Sequence, residues 1–335
     1  MPRSASIAAI EYYLPEATLT NEDLAALFPE WPAERIKAKL GISTRHIAGP
    51  DECASDLAAK AAESLFELRG YAPRDVDYLL FCTQSPDYVL PTTACVLQSR
   101  LGIPTDAGAI DVNLGCSGYV YGLSLAKGLI ETGQAERVLL LTADTYSRYL
   151  EPADKGVRTV FGDGAAATLV CPADDDSPRP SLGPFVFGTD GRGAPNLIVH
   201  GGGTRRANTP TAAGDRPAAP YLRMNGGEIM TFTLDTVPRA ISRVLERARL
   251  SMEELDFFVF HQANRLVLET LRRKMGIPES KFVVSLDHCG NTTSSTIPIA
   301  LRDALAAGTV RSGQIGALVG FGVGYSWAAG LARCP

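Results

Sequence analysis

The chain has 335 residues, 45% of them hydrophobic and 21% charged, with 32 glycines and 22 prolines. This is an ordinary globular composition, long enough for one large α/β domain or two fused halves, and it needs no staples to bury a core. A formal net charge of −5 excludes a global positive field that would draw in nucleic acid.

The opening "MPRSASIAAIEYYLPE" lacks the long apolar segment of a signal peptide, and no window approaches the apolar length of a membrane span. We therefore expect a cytoplasmic protein with no membrane and no nucleic-acid partner. The seven cysteines, Cys53, Cys82, Cys95, Cys116, Cys171, Cys289 and Cys334, are odd in number and scattered, with no CxxC pair. That argues against a disulfide framework or a zinc site, and we expect no metal and no bound cofactor.

In chain order, a helix is predicted over 54–68, then a strand at "YLLF" (78–81) and another at "AIDV" (109–112). A helix follows over 118–132, then strands at "RVLLLT" (137–142) and "AATLV" (166–170). The stretch 172–220 is rich in Pro, Ala, Asp and Gly, and "PADDDSPRP" and "TPTAAGDRPAAP" read as exposed loops of a connection. Strand-like "GPFVFG" and "NLIVHG" lie between them, so the connection is not all loop. A helix is predicted over 228–249, a strand at "FFVF" (257–260) and a helix over 264–275. Strand "FVVSL" (282–286), a helix over 297–307 and strand "IGALVGF" (315–321) complete the pattern. Short, wholly apolar strands alternating with helices point to sheets covered on both faces.

The sequence also repeats itself weakly. "DVDYLLFCTQ" (75–84) resembles "ELDFFVFHQA" (254–263). The same 175-residue offset separates Gly115 from Gly290 and Gly133 from Gly308. Two related halves packed face to face would bring equivalent loops to one site.

Four segments carry candidate chemistry. In "DVNLGCSGYVYGL" (111–123), Cys116 follows a strand and opens a helix, where the positive dipole end favours a thiolate. Gly118 and Gly122 leave one face of that helix bare. Read from this segment alone, a nucleophile and an inert buried thiol fit equally well. In "FHQAN" (260–264), His261 ends an apolar strand, where a buried neutral histidine completing a core hydrogen bond is a common alternative. In "DHCGNTTSSTIPIAL" (287–301), Asn291 follows a glycine at a helix start, and capping is its ordinary role. The glycines at 320, 322 and 324 in "GALVGFGVGYSW" suggest a bent backbone whose N–H groups could face an oxyanion. No HExxH, Walker or GxSxG motif is present.

Taken together and in order, these segments resemble the β-ketoacyl-acyl-carrier-protein synthase III family of the thiolase superfamily. "YLPEATLTNEDL", "GISTRHIA", "LPTTACVLQSRLGI", "FGDGAAATLV" and "GFGVGYSWAAGLAR" extend the resemblance over nearly the whole chain. It implies a thiolase-like, five-layered αβαβα fold built from two similar halves. We expect those halves at 1–171 and 221–335, with 172–220 connecting them. It further implies a Cys–His–Asn site with Cys116 as nucleophile and His261 and Asn291 as hydrogen-bond donors. The backbone N–H groups of Cys116 and Val323 would form an oxyanion site. Phe321 would wall off water, and Leu90 would line the partner subunit's acyl pocket.

The implied reaction is acyl transfer to Cys116, then decarboxylative condensation with malonyl-carrier-protein, in fatty acid or polyketide-type biosynthesis. The implied partners are acyl-carrier protein, an acyl-CoA or acyl-carrier-protein primer and a second copy of the chain; coenzyme A and phosphopantetheine thioesters serve as substrates. Arg35, Lys39, Lys155, Asn264, Arg265 and Arg272 would meet their phosphates. Here the family pattern is altered: Arg35 stands where many members carry an adenine-stacking tryptophan, and Lys155 replaces an arginine. Two other functions share the fold: an acyltransferase that forms no carbon–carbon bond, and a partner subunit of a heterodimeric synthase.

Overall fold

The computed structural model describes residues 4–173, 181–204 and 221–335. Most of the two predicted loops, 174–180 and 209–220, lies outside these residues. The first half runs β1 (Ala5–Tyr13), β2 (Thr18–Thr20), α1 (Asn21–Leu27), α2 (Ala33–Leu40), β3 (Thr44–His46), α3 (Ala54–Arg69) and β4 (Tyr78–Cys82). It continues with α4 (Thr93–Leu101), β5 (Gly108–Val112), α5 (Gly118–Glu131), β6 (Val138–Asp144), α6 (Lys155–Arg158) and β7 (Gly164–Pro172). The second half runs β8 (Leu182–Thr189), β9 (Leu197–Val199), β10 (Leu222–Met224), α7 (Gly226–Ala248), β11 (Phe257–Phe260) and α8 (Arg265–Lys274). It ends with β12 (Phe282–Val283), α9 (Thr296–Ala306), β13 (Ile315–Gly322) and β14 (Ser326–Arg333).

The repeat seen in the sequence is a repeat of topology. One sheet has the order β5-β4-β6-β7-β1 and the other β12-β11-β13-β14-β8. In each, the first three strands are parallel and the last two pairings antiparallel. Gly133 and Gly308, at the matched offset, both take positive φ, 73° and 69°, just past helices α5 and α9. Glycine is the residue that closes a helix this way without a Cβ penalty.

Burial patterns order the layers. Helices α5 and α9 are apolar nearly all round, with Tyr119, Val120, Leu123, Ile297, Ile299 and Leu301 buried, and both pack between the two sheets. Helix α3 covers the outer face of the first sheet and α7 that of the second. The result is the expected αβαβα stack.

Three departures have physical causes. Strand β8 lies inside the 172–220 stretch read as a connection, yet it is an edge strand of the second sheet, paired with β14. Strands β1 and β14 escaped prediction because "ASIAAIEYY" and "SWAAGLAR" are alanine-rich and lack a clear two-residue alternation. The strand predicted over 282–286 stops at Val283, because the Ser285 N–H donates to the Gln262 side chain at 2.9 Å instead of continuing a ladder.

The halves meet backbone to backbone at Gly320 of β13. A Cβ there would stand 2.6 Å from Ser117 Cα and 2.7 Å from the Cys116 carbonyl oxygen. Backbone cannot step aside as a side-chain tip can. Gly320→Ala is therefore expected to lower stability by about 1–3 kcal/mol in denaturant unfolding and to displace the turn that carries Cys116. Unchanged stability together with unchanged Cys116 reactivity would show that this contact is slack.

Candidate active site

Cys116 sits in the turn between β5 and α5, one residue before the Ser117 cap of the helix. The Gly118 N–H donates to the Gly115 carbonyl at 2.7 Å and closes the turn. Cβ atoms on Gly115 or Gly118 would run into Gln84 Oε1 at 2.4 Å or Cys82 Sγ at 2.2 Å. These glycines therefore let the turn sit directly on the end of β4. From the other half, Gly322 leaves room for the thiol: a Cβ there would lie 2.9 Å from Cys116 Sγ.

His261 follows β11 directly, and its backbone N–H extends the ladder to the Val319 carbonyl at 2.8 Å. Its ring is buried, edge-on to Phe321 with centroids 5.5 Å apart. Asn291 is pinned by its backbone. Its N–H donates to the Val160 carbonyl at 3.0 Å, and its carbonyl accepts from the Gly162 N–H at 3.1 Å. The Thr293 N–H donates to Asn291 Oδ1 at 2.9 Å, which leaves the Nδ2 group pointing into the site. That nitrogen lies 3.5 Å from His261 Nε2. The three side chains share a small cavity of about 100 Å³ with Phe321, Met224 and Thr233.

Burial governs the electrostatics. It pushes the His261 pKa down to about 3, so the ring is neutral at physiological pH. It pushes the Cys116 thiol up to about 12, and the buried Asp144 carboxylate adds repulsion. The backbone N–H groups of Cys116 and Val323 pull the other way. In the ligand-free protein, burial thus works against the thiolate that the helix end favours. Desolvation outweighs a partial charge at a helix end when no cation stands nearby.

The remaining expected residues divide. Val323 lines a second, larger cavity of about 590 Å³ with Gln84, Asn113, Tyr146 and Tyr149. Leu90 is 83% exposed and lines neither cavity of its own chain. Asn264 borders the small cavity while its Oδ1 caps α8 by accepting from the Val267 N–H at 3.0 Å. Arg265 lies over Gly41, where a Cβ would be 2.6 Å from its own Cβ. Arg272 is held within its helix, donating to Glu269 at 2.9 Å and to the Ile277 carbonyl at 3.2 Å. This leaves it poorly placed to meet a ligand. Arg35, Lys39 and Lys155 gather around Trp31, at 5.8, 5.0 and 5.8 Å from its ring centre. Trp31, four residues before Arg35 and just ahead of α2, is the aromatic that these cations surround.

Sequence reasoning also missed Asp144, Thr296 and Arg45. The Thr296 hydroxyl lies 2.7 Å from His261 Nδ1. Arg45 is wholly buried and donates to the Thr159 carbonyl at 3.0 Å through Nε. Each is tied to a partner far along the chain, Thr296 to His261 at 35 residues, Arg45 to Thr159 at 114 and Asp144 to Ser294 at 150.

A thiol titrating near 12 should react with iodoacetamide about tenfold faster for each pH unit, without levelling off below pH 9. Labelling of Cys116 followed by mass spectrometry checks this. A plateau between pH 7 and 8 would mean that the thiolate is already formed.

Comparison with known proteins agrees with the geometry. The family model for 3-oxoacyl-[acyl-carrier-protein] synthase III matches residues 110–191, and that for the C-terminal part of the same enzyme matches 245–334. The beta-ketoacyl-[acyl-carrier-protein] synthase III of Deinococcus deserti is 35% identical over 330 residues, covering 98% of this chain and 91% of that protein. A crystal structure of a 3-oxoacyl-(acyl-carrier-protein) synthase III superposes with a TM-score of 0.94 at 57% identity, covering 98% of this chain and 99% of that one. The priming β-ketosynthase of the R1128 polyketide pathway superposes with a TM-score of 0.89 at 29% identity, covering 100% and 97%. Identity at this level along nearly the whole length means that the chain belongs to the β-ketoacyl-acyl-carrier-protein synthase III family, within the thiolase superfamily.

Proposed function

We propose that Cys116, His261 and Asn291 divide a two-step condensation between them. The Cys116 sulfur attacks an acyl thioester and keeps the acyl group, while the departing thiol carries off a proton. Malonyl-acyl-carrier-protein then enters and loses carbon dioxide. His261 and Asn291 hold the thioester oxygen as enolate charge builds on it. The carbanion attacks the acyl-Cys116 carbonyl, whose oxyanion faces the N–H groups of Cys116 and Val323. Collapse of that adduct frees the sulfur and a β-ketoacyl product for fatty acid or polyketide-type biosynthesis.

The observation that carries this reading is the 3.5 Å approach of Asn291 Nδ2 and His261 Nε2 inside the cavity that holds Cys116. Nitrogens that both carry hydrogen gain nothing from each other, but they converge on a common acceptor. His261 meets this condition in the tautomer with its proton on Nε2, in which the Thr296 hydroxyl turns from the Thr293 carbonyl, to which it donates at 3.1 Å, and donates to Nδ1 instead. Among the described residues, no basic side chain lines the cavity apart from His261. The charge that develops is therefore met by fixed dipoles.

The larger cavity supports an acyl pocket, with far more room than an acetyl group requires. Arg35, Lys39 and Lys155 around Trp31, together with Arg265, support a landing site for the phosphates of coenzyme A or acyl-carrier protein. A homodimer is supported by β5, an edge strand with Ile110 exposed, and by the exposed run Tyr88, Val89 and Leu90. In such a pair Leu90 reaches the large cavity of the partner.

A panel of acyl-CoA and acyl-carrier-protein donors, read by the mass added to Cys116, identifies the primer. Cys116→Ala should load nothing. Asn291→Ala should load within a few-fold of the parent yet release carbon dioxide from malonyl-acyl-carrier-protein about 100-fold more slowly. Equal loss of both half-reactions would contradict the division of roles. Loading without any carbon dioxide release by the parent would favour an acyltransferase.

A further inference from the structure

Asp144 ends β6 with its carboxylate fully buried, and no cation pairs with it among the described residues. An isolated buried charge is costly, so its survival in a core calls for a reason. Its partners all donate neutral N–H or O–H groups, and they come from both halves. Oδ1 accepts from the Gln84 N–H at 2.7 Å, in the first half. Oδ2 accepts from the Ser294 hydroxyl at 2.6 Å and from the Thr293 hydroxyl, in the second.

Each side leads to the reaction centre. Thr293 holds φ at +51°, a left-handed conformation that a β-branched residue adopts only under restraint. Its hydroxyl is tied to Asp144, and its N–H, aimed by that conformation, fixes Asn291 Oδ1 at 2.9 Å. On the other side, Gln84 Oε1 accepts from the Tyr146 hydroxyl at 2.6 Å and packs where a Gly115 Cβ would be, 2.4 Å away. One carboxylate thus braces both the amide of Asn291 and the turn that carries Cys116.

We infer that Asp144 is a positioning residue, holding the Asn291 amide in register with the Cys116 turn across the seam between the halves. It touches no substrate. This rests on the reading of Asn291 as the donor to malonyl-thioester, but the brace itself is a property of the free protein. Burial pushes the Asp144 pKa up to about 6, against the hydroxyls and amides that favour its charged form. The titratable groups that feel its charge are Cys82, Cys116, Tyr146 and Tyr149, and it pushes all four upward. In mild acid the carboxylate takes a proton and must donate where it had accepted, which loosens the hold on Thr293. Carbon dioxide release should therefore fall as pH drops through about 6.

The test is Asp144→Asn, which keeps the shape and cannot titrate, made in the full chain. Hydrogen exchange of the free protein should speed up at least about tenfold over residues 290–296 and stay unchanged at β11. Release of carbon dioxide from malonyl-acyl-carrier-protein should fall by about 100-fold, the effect of an ångström-scale misplacement. Acyl loading should change by no more than about threefold. The acid limb of the parent should be absent from the residual activity of the variant. Should the variant fail to fold, Thr293→Val against Thr293→Ser isolates the same hydroxyl: Ser should keep parental exchange and release, and Val should lose both. Unchanged exchange at 290–296, or equal loss of loading and release, overturns the inference. If the parent itself released no carbon dioxide, the catalytic reading would fall, and the exchange result would still decide the brace.

Discussion

Two backbones can press together as closely as β13 and the Cys116 turn do only where one of them lacks a Cβ at the contact, and the site is built on that constraint. Gly320 and Gly322 of β13 press on Ser117 and Cys116, while Gly115 and Gly118 let the same turn rest on the end of β4. The nucleophile is gripped between two sheets rather than displayed on a loop. Everything else about the site follows from that grip. It buries the site, and burial keeps His261 uncharged and raises the thiol of Cys116 well above its ordinary range.

A dry site has to use neutral tools. Ammonium or carboxylate groups placed in it would be expensive unless paired. The structure offers an imidazole, an amide and backbone N–H groups, all dipoles with fixed aim. Asp144, a buried carboxylate close by, is kept off the cavity wall and held in a web of hydroxyl and amide donors. The cations, in contrast, collect around the exposed surface near Trp31, where hydration stabilises them without desolvation cost.

What could be read from the sequence was what is local or periodic. Apolar runs such as "FFVF" and "RVLLLT" announced buried parallel strands, and the shared 175-residue offset announced the duplication. Asn291 was legible through its glycine, because Gly290 at φ 70° is a turn only glycine takes easily. Strands β1 and β14 were not legible, since alanine carries little strand signal and their partners β7 and β8 lie far along the chain. The same holds for Asp144, whose partners Thr293 and Ser294 lie 149 and 150 residues away. The direction of the Cys116 shift was misread for a related reason. A helix end is visible in sequence, whereas the depth at which folding places it is not.

The duplicated topology has a consequence for how the protein matures. The first half holds Cys116 and the second holds His261 and Asn291, so neither half possesses a complete site by itself. Only the buried cluster under α3 is built within one half, while the other two large clusters draw on both, so the cavity exists only after the sheets have docked through α5 and α9. Competence for chemistry is thus a property of the final docking event. A chain whose halves have folded but not met lacks that cavity altogether.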